Sequence, residues 1–365
     1  MHKMMAGVTI LEHELSELRL LVERQAGILL DCPNSALSAH VAEYLETHEL
    51  SSCAALLERL GAADQDPSVL PVFLDGVLNI NTGFFRHPGA MNALARCVIP
   101  QLYARKSEDG PCTLRIWSAG CSTGEEAYSI AMALCDVLPV GNGSVNGNGN
   151  STNGNGSKEK ASGRNGSSAE NSGPPATTQA TKDWSVHIVG SDLLRSAIEI
   201  AERGLYPQSA LAGLPPATIR ACFTKIGNIG AGQNGSKDGN LSDGNSNGSS
   251  NGSVVGSNNG SNGSAHLLVK PRLRSLVTFN TMNLIKPVYI GRFDCIFCMD
   301  LLPHLSRAQR TALLERLHLY LEPGGYLFLS QTEKLCSSNL NFRSETFDGY
   351  TFHRKPLAAS AAYGR

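Results

Sequence analysis

Ser118-Ala119-Gly120-Cys121-Ser122-Thr123-Gly124-Glu125-Glu126 joins the apolar run LRIWSAG (114–120) to the helical pattern EEAYSIAMALCDVL (125–138). An apolar run that feeds a helix through a glycine-bearing turn opens a βαβ unit, and the chain repeats the theme. VHIVGSD (186–192) precedes LLRSAIEIAERG (193–204), FDCIFCMD (293–300) precedes AQRTALLERLHLYL (308–321), and GYLFLSQ (325–331) ends the series. The alternation predicts an α/β fold with a doubly wound, mostly parallel sheet. Ligands of such sheets bind outside the C-terminal strand ends, so candidate chemistry is sought just after each run.

Upstream the pattern is helical throughout. Leu11, Leu15, Leu18 and Val22 recur at helical spacing, and further helical stretches cover 36–45, 54–60 and 68–77. They predict a small all-α domain over residues 1–90, ahead of a larger domain over 91–358. Two Asn/Gly/Ser-rich stretches, about 141–181 and 227–264, offer no apolar surface to offset chain entropy and are expected to be disordered inserts. Their N-G-S triplets match the glycosylation sequon by composition alone.

With 31 Lys+Arg against 32 Asp+Glu, the formal charge of -1 gives no bulk attraction to nucleic acid or an anionic membrane. No apolar run approaches the ~20 residues of a membrane-spanning helix, and the first residues carry acids where a secretory signal is apolar. The chain is expected to be cytoplasmic and monomeric, without membrane insertion. Its ten cysteines follow no tight framework, which fits reduced thiols. Cys295 and Cys298, the one C-x-x-C, lie inside an apolar run and read as buried strand cysteines rather than a metal site.

The turn at 118–126 is not G-x-G-x-x-G, and two carboxylates in the first helical turn repel phosphate. A cationic or zwitterionic ligand suits them better, and S-adenosylmethionine, with a sulfonium and an amino group, is such a ligand. The same acids also favour a helix N-terminus through its dipole, by ~0.3–1 kcal/mol each. Asp192 ends the second strand, where such folds hydrogen-bond ribose hydroxyls; it is equally suited to capping the next helix.

The motifs together resemble one family. Asn81-Thr82-Gly83-Phe84-Phe85-Arg86 is similar to the T-x-F-F-R signature of CheR-type chemotaxis protein-glutamate O-methyltransferases, and 117–129 to their W-S-A-x-x-S-T-G-E-E-P-Y-S segment. Ala201 to Tyr206 resembles A-x-x-G-x-Y, and Asn283-Leu284 the N-L that precedes Phe293-Asp294. The resemblance implies a Rossmann-like methyltransferase using S-adenosylmethionine. Its cofactor contacts would fall at Thr82, Arg86, Glu126, Asp192, Asn283 and Leu284, with Gly120 and Gly124 shaping the turn; Ile80 stands where members usually have Asn. Residues 298–305 read C-M-D-L-L-P-H-L where typical members read C-R-N-V-x-I-Y-F. Met299 and Asp300 thus occupy changed places in the cofactor wall, and His304 replaces a tyrosine near the reacting methyl.

A glutamate acceptor has a pKa near ~4.3 and needs no general base, so catalysis would be positioning. Arg86 suits a carboxylate of cofactor or substrate, and His304 a hydrogen bond to the acceptor or, for a hydroxyl or amine, its proton. Arg86 and His304 are therefore the expected catalytic pair. The implied substrate is a chemoreceptor or other signalling protein. The alternatives are a non-catalytic module that binds S-adenosylmethionine or S-adenosylhomocysteine, and a methyltransferase for a different nucleophile. Glu43, Glu46 and Glu49 put acids where the family's second helix is typically basic. Some members carry a β-subdomain that clamps a receptor tail; here the second insert lies in that region. The flanking pieces 222–225 and 267–270 are expected to pair as strands, without tail tethering.

Overall fold

The computed structural model describes residues 10–62, 66–78, 81–109, 113–138, 184–226, 266–286, 290–335 and 340–357. Ile80 and both Asn/Gly/Ser-rich stretches lie outside the described residues. The chain opens with four helices: α1 (Glu12–Ala26), α2 (Asn34–Thr47), α3 (Cys53–Gly61) and α4 (Val69–Val77). At the start of α1 the Leu11 N–H donates to Glu14 Oε2 at 2.8 Å; the helix buries Leu15, Leu18 and Val22 as the spacing requires, whereas Leu11, just ahead of it, is exposed. Ser52 caps α3 by accepting the Ala55 N–H at 3.2 Å. On α2, Leu37, Val41, Tyr44 and Leu45 are buried while Glu43, Glu46 and, beyond its end, Glu49 stand in solvent.

The helices α5 (Pro88–Ala93) and α6 (Ile99–Asp109), linked by one π turn, lead into the alternating part. It comprises β1 (Thr113–Ala119), α7 (Glu125–Cys135), β2 (Ser185–Asp192), α8 (Arg195–Arg203), β3 (Leu205–Pro207), α9 (Pro216–Cys222), β4 (Phe223–Ile226), β5 (His266–Val269), α10 (Pro271–Arg274) and β6 (Val277–Thr281). It continues with β7 (Phe293–Phe297), α11 (Arg307–Tyr320), β8 (Leu321–Phe328), β9 (Arg343–Phe347) and β10 (Tyr350–Arg354). Among the described residues seven strands form one sheet in the order β6-β2-β1-β7-β8-β10-β9. The first five run parallel, and β10 turns antiparallel against β8 and β9.

The predicted doubly wound, mostly parallel sheet is therefore present. β7 is buried at all five positions, as expected of a strand covered on both faces. One face packs under α7, with Tyr128, Ile130 and Leu134 in its core. On the other, Trp117 and Phe293 join α11 and the N-terminal helices in a continuous apolar cluster containing Leu18, Leu37, Leu56 and Phe73. Cys295 and Cys298 are fully buried thiols, and the eight described cysteines are all free. The pieces flanking the second insert do pair: β5 lies antiparallel between β3 and β4 in a separate three-stranded sheet. Among the described residues no helix is long and apolar enough to cross a membrane.

The chain winds from β1 outward through β2 to β6, then returns to β7 on the other side of β1. The switch point is thus the β1/β7 edge, where the segments after these strands splay apart and leave a crevice.

Candidate active site

After β1 the backbone turns through Gly120 (φ +83°), Ser122 (φ +50°) and Gly124 (φ +93°) before α7 begins. Asp192, at the end of β2, holds this turn. Its Oδ2 accepts the Ser122 N–H at 2.9 Å, and its Oδ1 accepts the Leu194 N–H at 3.0 Å just ahead of α8. One carboxylate therefore ties the turn after β1 to the segment that leads into α8, and it borders the crevice. Burial raises its pKa against the lowering effect of these N–H groups.

The two acids that open α7 have separate surroundings. Glu125 is buried and accepts from Thr123 Oγ1 at 2.6 Å; burial raises its pKa, and a hydrogen bond from Thr82 lowers it. Glu126 faces the crevice and accepts from Ser118 Oγ at 2.6 Å. Burial, together with the nearby carboxylates of Asp300 and Glu333, pushes its pKa up to about 7.

Across the crevice, the chain leaving β7 places Asp300 in a left-handed conformation, φ +56°. Its Oδ2 lies 2.9 Å from His87 Nε2 and 3.2 Å from an Arg86 guanidinium nitrogen. Arg86 also donates to the Asn81 carbonyl. His304 follows, and its carbonyl accepts the Leu29 N–H at 2.8 Å beside an antiparallel bridge of Ile28 with Leu305. The loop between α1 and α2 thereby closes the crevice. Arg19 fastens that loop, donating to the carbonyls of Leu30 and Cys32 and to Asn34 Oδ1. Asn283 uses its side chain internally: Nδ2 donates to the Gln25 carbonyl at 2.8 Å and Oδ1 accepts the Ile285 N–H at 3.1 Å.

These segments enclose a cavity of about 580 Å³, within the range of small-molecule sites. Thr82, Arg86, Gly120, Glu126, Asp192, Asn283, Leu284, Met299, Asp300 and His304 all border it. Gly124 does not. It faces α8, where a Cβ would meet Ala201 Cβ at 2.7 Å, so it shapes the turn from behind. The sequence reading missed His87, which lies beside Arg86 in the same motif. It also missed Glu333, five residues beyond Phe328, the last residue of β8. Its failure to include the 28–32 loop has a simpler cause, since nothing local marks it.

The cavity suits a nucleoside with a cationic, zwitterionic tail. It has an acid at the second strand end, a turn open enough for backbone approach at Gly120, and a desolvated carboxylate at Glu126 that a cation would relieve. Sheet order, switch-point cavity and this donor set fit a methyltransferase that uses S-adenosylmethionine. The model of the CheR methyltransferase, SAM binding domain, matches residues 80–151 and 256–350. Chemotaxis protein methyltransferase 1 of Pseudomonas aeruginosa is 25% identical over 320 residues, covering 87% of this chain and 88% of its own. Chemotaxis protein methyltransferase of Vibrio parahaemolyticus is 24% identical over 337 residues, covering 91% and 92%. The chain thus carries a match to the CheR methyltransferase, SAM binding domain, and is similar along most of its length to chemotaxis protein methyltransferases.

Proposed function

We propose that the chain methylates glutamate side-chain carboxylates of a chemoreceptor-like signalling protein. The observation that carries this reading is Arg86, a cation at the rim of an otherwise acidic cavity, with likeness to chemotaxis methyltransferases along most of the chain in support. When bound, S-adenosylmethionine supplies a methyl group activated by its sulfonium. Asp192 would hold the ribose hydroxyls while Thr82, Asn283, Leu284 and Met299 wall the nucleoside and its tail. Glu126 would face the cofactor's positive charge, and Gly120 would admit the ligand close to the backbone. Arg86, steadied by Asp300, would orient the acceptor carboxylate, with His304 as a hydrogen-bond donor beside it. No proton needs to leave an ionised carboxylate, so these residues act by orientation and by excluding water.

A second reading has its own observation. His87 Nε2 within 2.9 Å of Asp300 is the arrangement of an imidazole oriented by a carboxylate, which serves an acceptor that must lose a proton. Transfer of labelled methyl from S-adenosylmethionine to a purified receptor cytoplasmic fragment separates the two. Label released as methanol by mild base supports glutamate esters. Base-stable label would sink that reading and favour a hydroxyl or amine acceptor.

Glu126 gives a pH signature. A cation against it displaces its proton, so affinity for S-adenosylmethionine is expected to rise as pH passes upward through about 7, and Glu126→Gln to flatten that rise. Without ligand the sign reverses. A carboxyl whose folded pKa is raised from 4.5 contributes stability present below 4.5 and lost as pH climbs to about 7. Glu126→Gln is therefore expected to raise the melting temperature at pH 8 relative to the parent and to change it little at pH 4. Titration calorimetry and thermal melts across pH check both.

A further inference from the structure

Five non-glycine residues among those described adopt positive φ, and three of them, Phe85 (+50°), Ser122 (+50°) and Asp300 (+56°), border the same cavity. Such backbone is disfavoured for residues with a Cβ and persists where the surroundings over-determine it. Each of the three has its N–H held by a side chain from another element. Phe85 donates to Ser129 Oγ on α7 at 2.9 Å, Ser122 to Asp192 at the end of β2, and Asp300 to Glu333 Oε2 at 3.2 Å.

Glu333 does more than the other two. It is buried, and its carboxylate also accepts the Leu302 N–H at 2.9 Å on Oε1 and the Ser330 N–H at 2.9 Å on Oε2. A carboxylate that gathers three backbone N–H groups is an anchor for backbone, here for the segment leaving β7 on one side and β8 on the other. Through Asp300 that anchor reaches His87 and Arg86, whose side chains both converge on Asp300 Oδ2.

We propose that Glu333 is a positioning residue of the methyltransferase site: it fixes the strained Asp300 backbone, and so the Asp300 carboxylate that orients Arg86 and His87. The assignment depends on the cavity and not on which acceptor is methylated. Glu333→Gln retains the size but turns an NH₂ group toward backbone donors, which is enough to release one end of the anchor.

The test is a double-mutant cycle on the full chain, read by titration calorimetry with S-adenosylhomocysteine, which needs no acceptor. Glu333→Gln is expected to weaken binding about tenfold, the scale of one buried donor left unsatisfied. In an Asp300→Asn background the same change is expected to cost less than about twofold, because the group it positions has already been altered. Equal losses in both backgrounds, or no loss in a folded Glu333→Gln protein, would overturn the proposal. Should that variant not fold, hydrogen exchange on the unaltered protein decides. Strong protection of the Asp300 and Leu302 amides supports the anchor, and exchange as fast as in exposed loops refutes it.

Discussion

Asp192→Ala is expected to lower affinity for S-adenosylmethionine by at least about 100-fold. Two losses combine. The carboxylate is the acceptor proposed for the ribose hydroxyls, and hydrogen bonds to a charged group contribute ~1.5–3 kcal/mol each. It also accepts the N–H of Ser122, held at φ +50°, and that of Leu194 ahead of α8, so its removal loosens the turn that the ligand must approach. Asp192→Asn, which keeps one acceptor oxygen, is expected to fall between parent and alanine. Calorimetric titration measures all three, with circular dichroism to show that the sheet persists. A loss below about threefold in a folded Asp192→Ala protein would mean that the nucleoside binds elsewhere.

Gly124→Ala is expected to destabilise the fold by about 3 kcal/mol. A non-glycine residue at φ +93° costs ~1–2 kcal/mol in backbone strain. The added Cβ would sit 2.7 Å from Ala201 Cβ and 3.1 Å from both Ala201 Cα and Phe279 Cζ, so α7 and α8 must part, and overpacking of this kind costs ~1–3 kcal/mol. Gly120→Ala is the control. It shares the positive φ (+83°), but its nearest neighbour would be Leu301 Cδ2 at 3.5 Å, ordinary contact, so only the strain remains. Urea denaturation separates them: a larger midpoint shift for Gly124→Ala than for Gly120→Ala is expected, and equal shifts would refute the packing argument.

The fold was legible because its parallel strands are nearly all apolar and each is followed by a helical pattern. FDCIF and LRIWSA read as buried strands without help from the rest of the chain. The glycine turn and Asp192 were legible for the same reason, since strand ends are where such sheets bind ligands. What the sequence concealed is long-range. Asp300 shows no sign of its left-handed backbone, and its partner His87 lies 213 positions away. Glu333 follows GYLFLSQ, so the rule of looking just past each run pointed at it, but only its three backbone donors reveal a task. The Ile28–Leu305 bridge, which brings the helical segment down on the cavity, joins two stretches with no pattern in common. Asn283 shows the converse. The motif was legible, yet its side chain is spent on Gln25 and Ile285.

A crystal structure of the chain with S-adenosylhomocysteine tests the proposed site most directly. One molecule is expected in the switch-point cavity, its ribose hydroxyls on Asp192 and its amino-acid end between Glu126 and Arg86. A ligand lodged outside this cavity, or reversed so that the ribose meets Arg86 and Asp300, would contradict it.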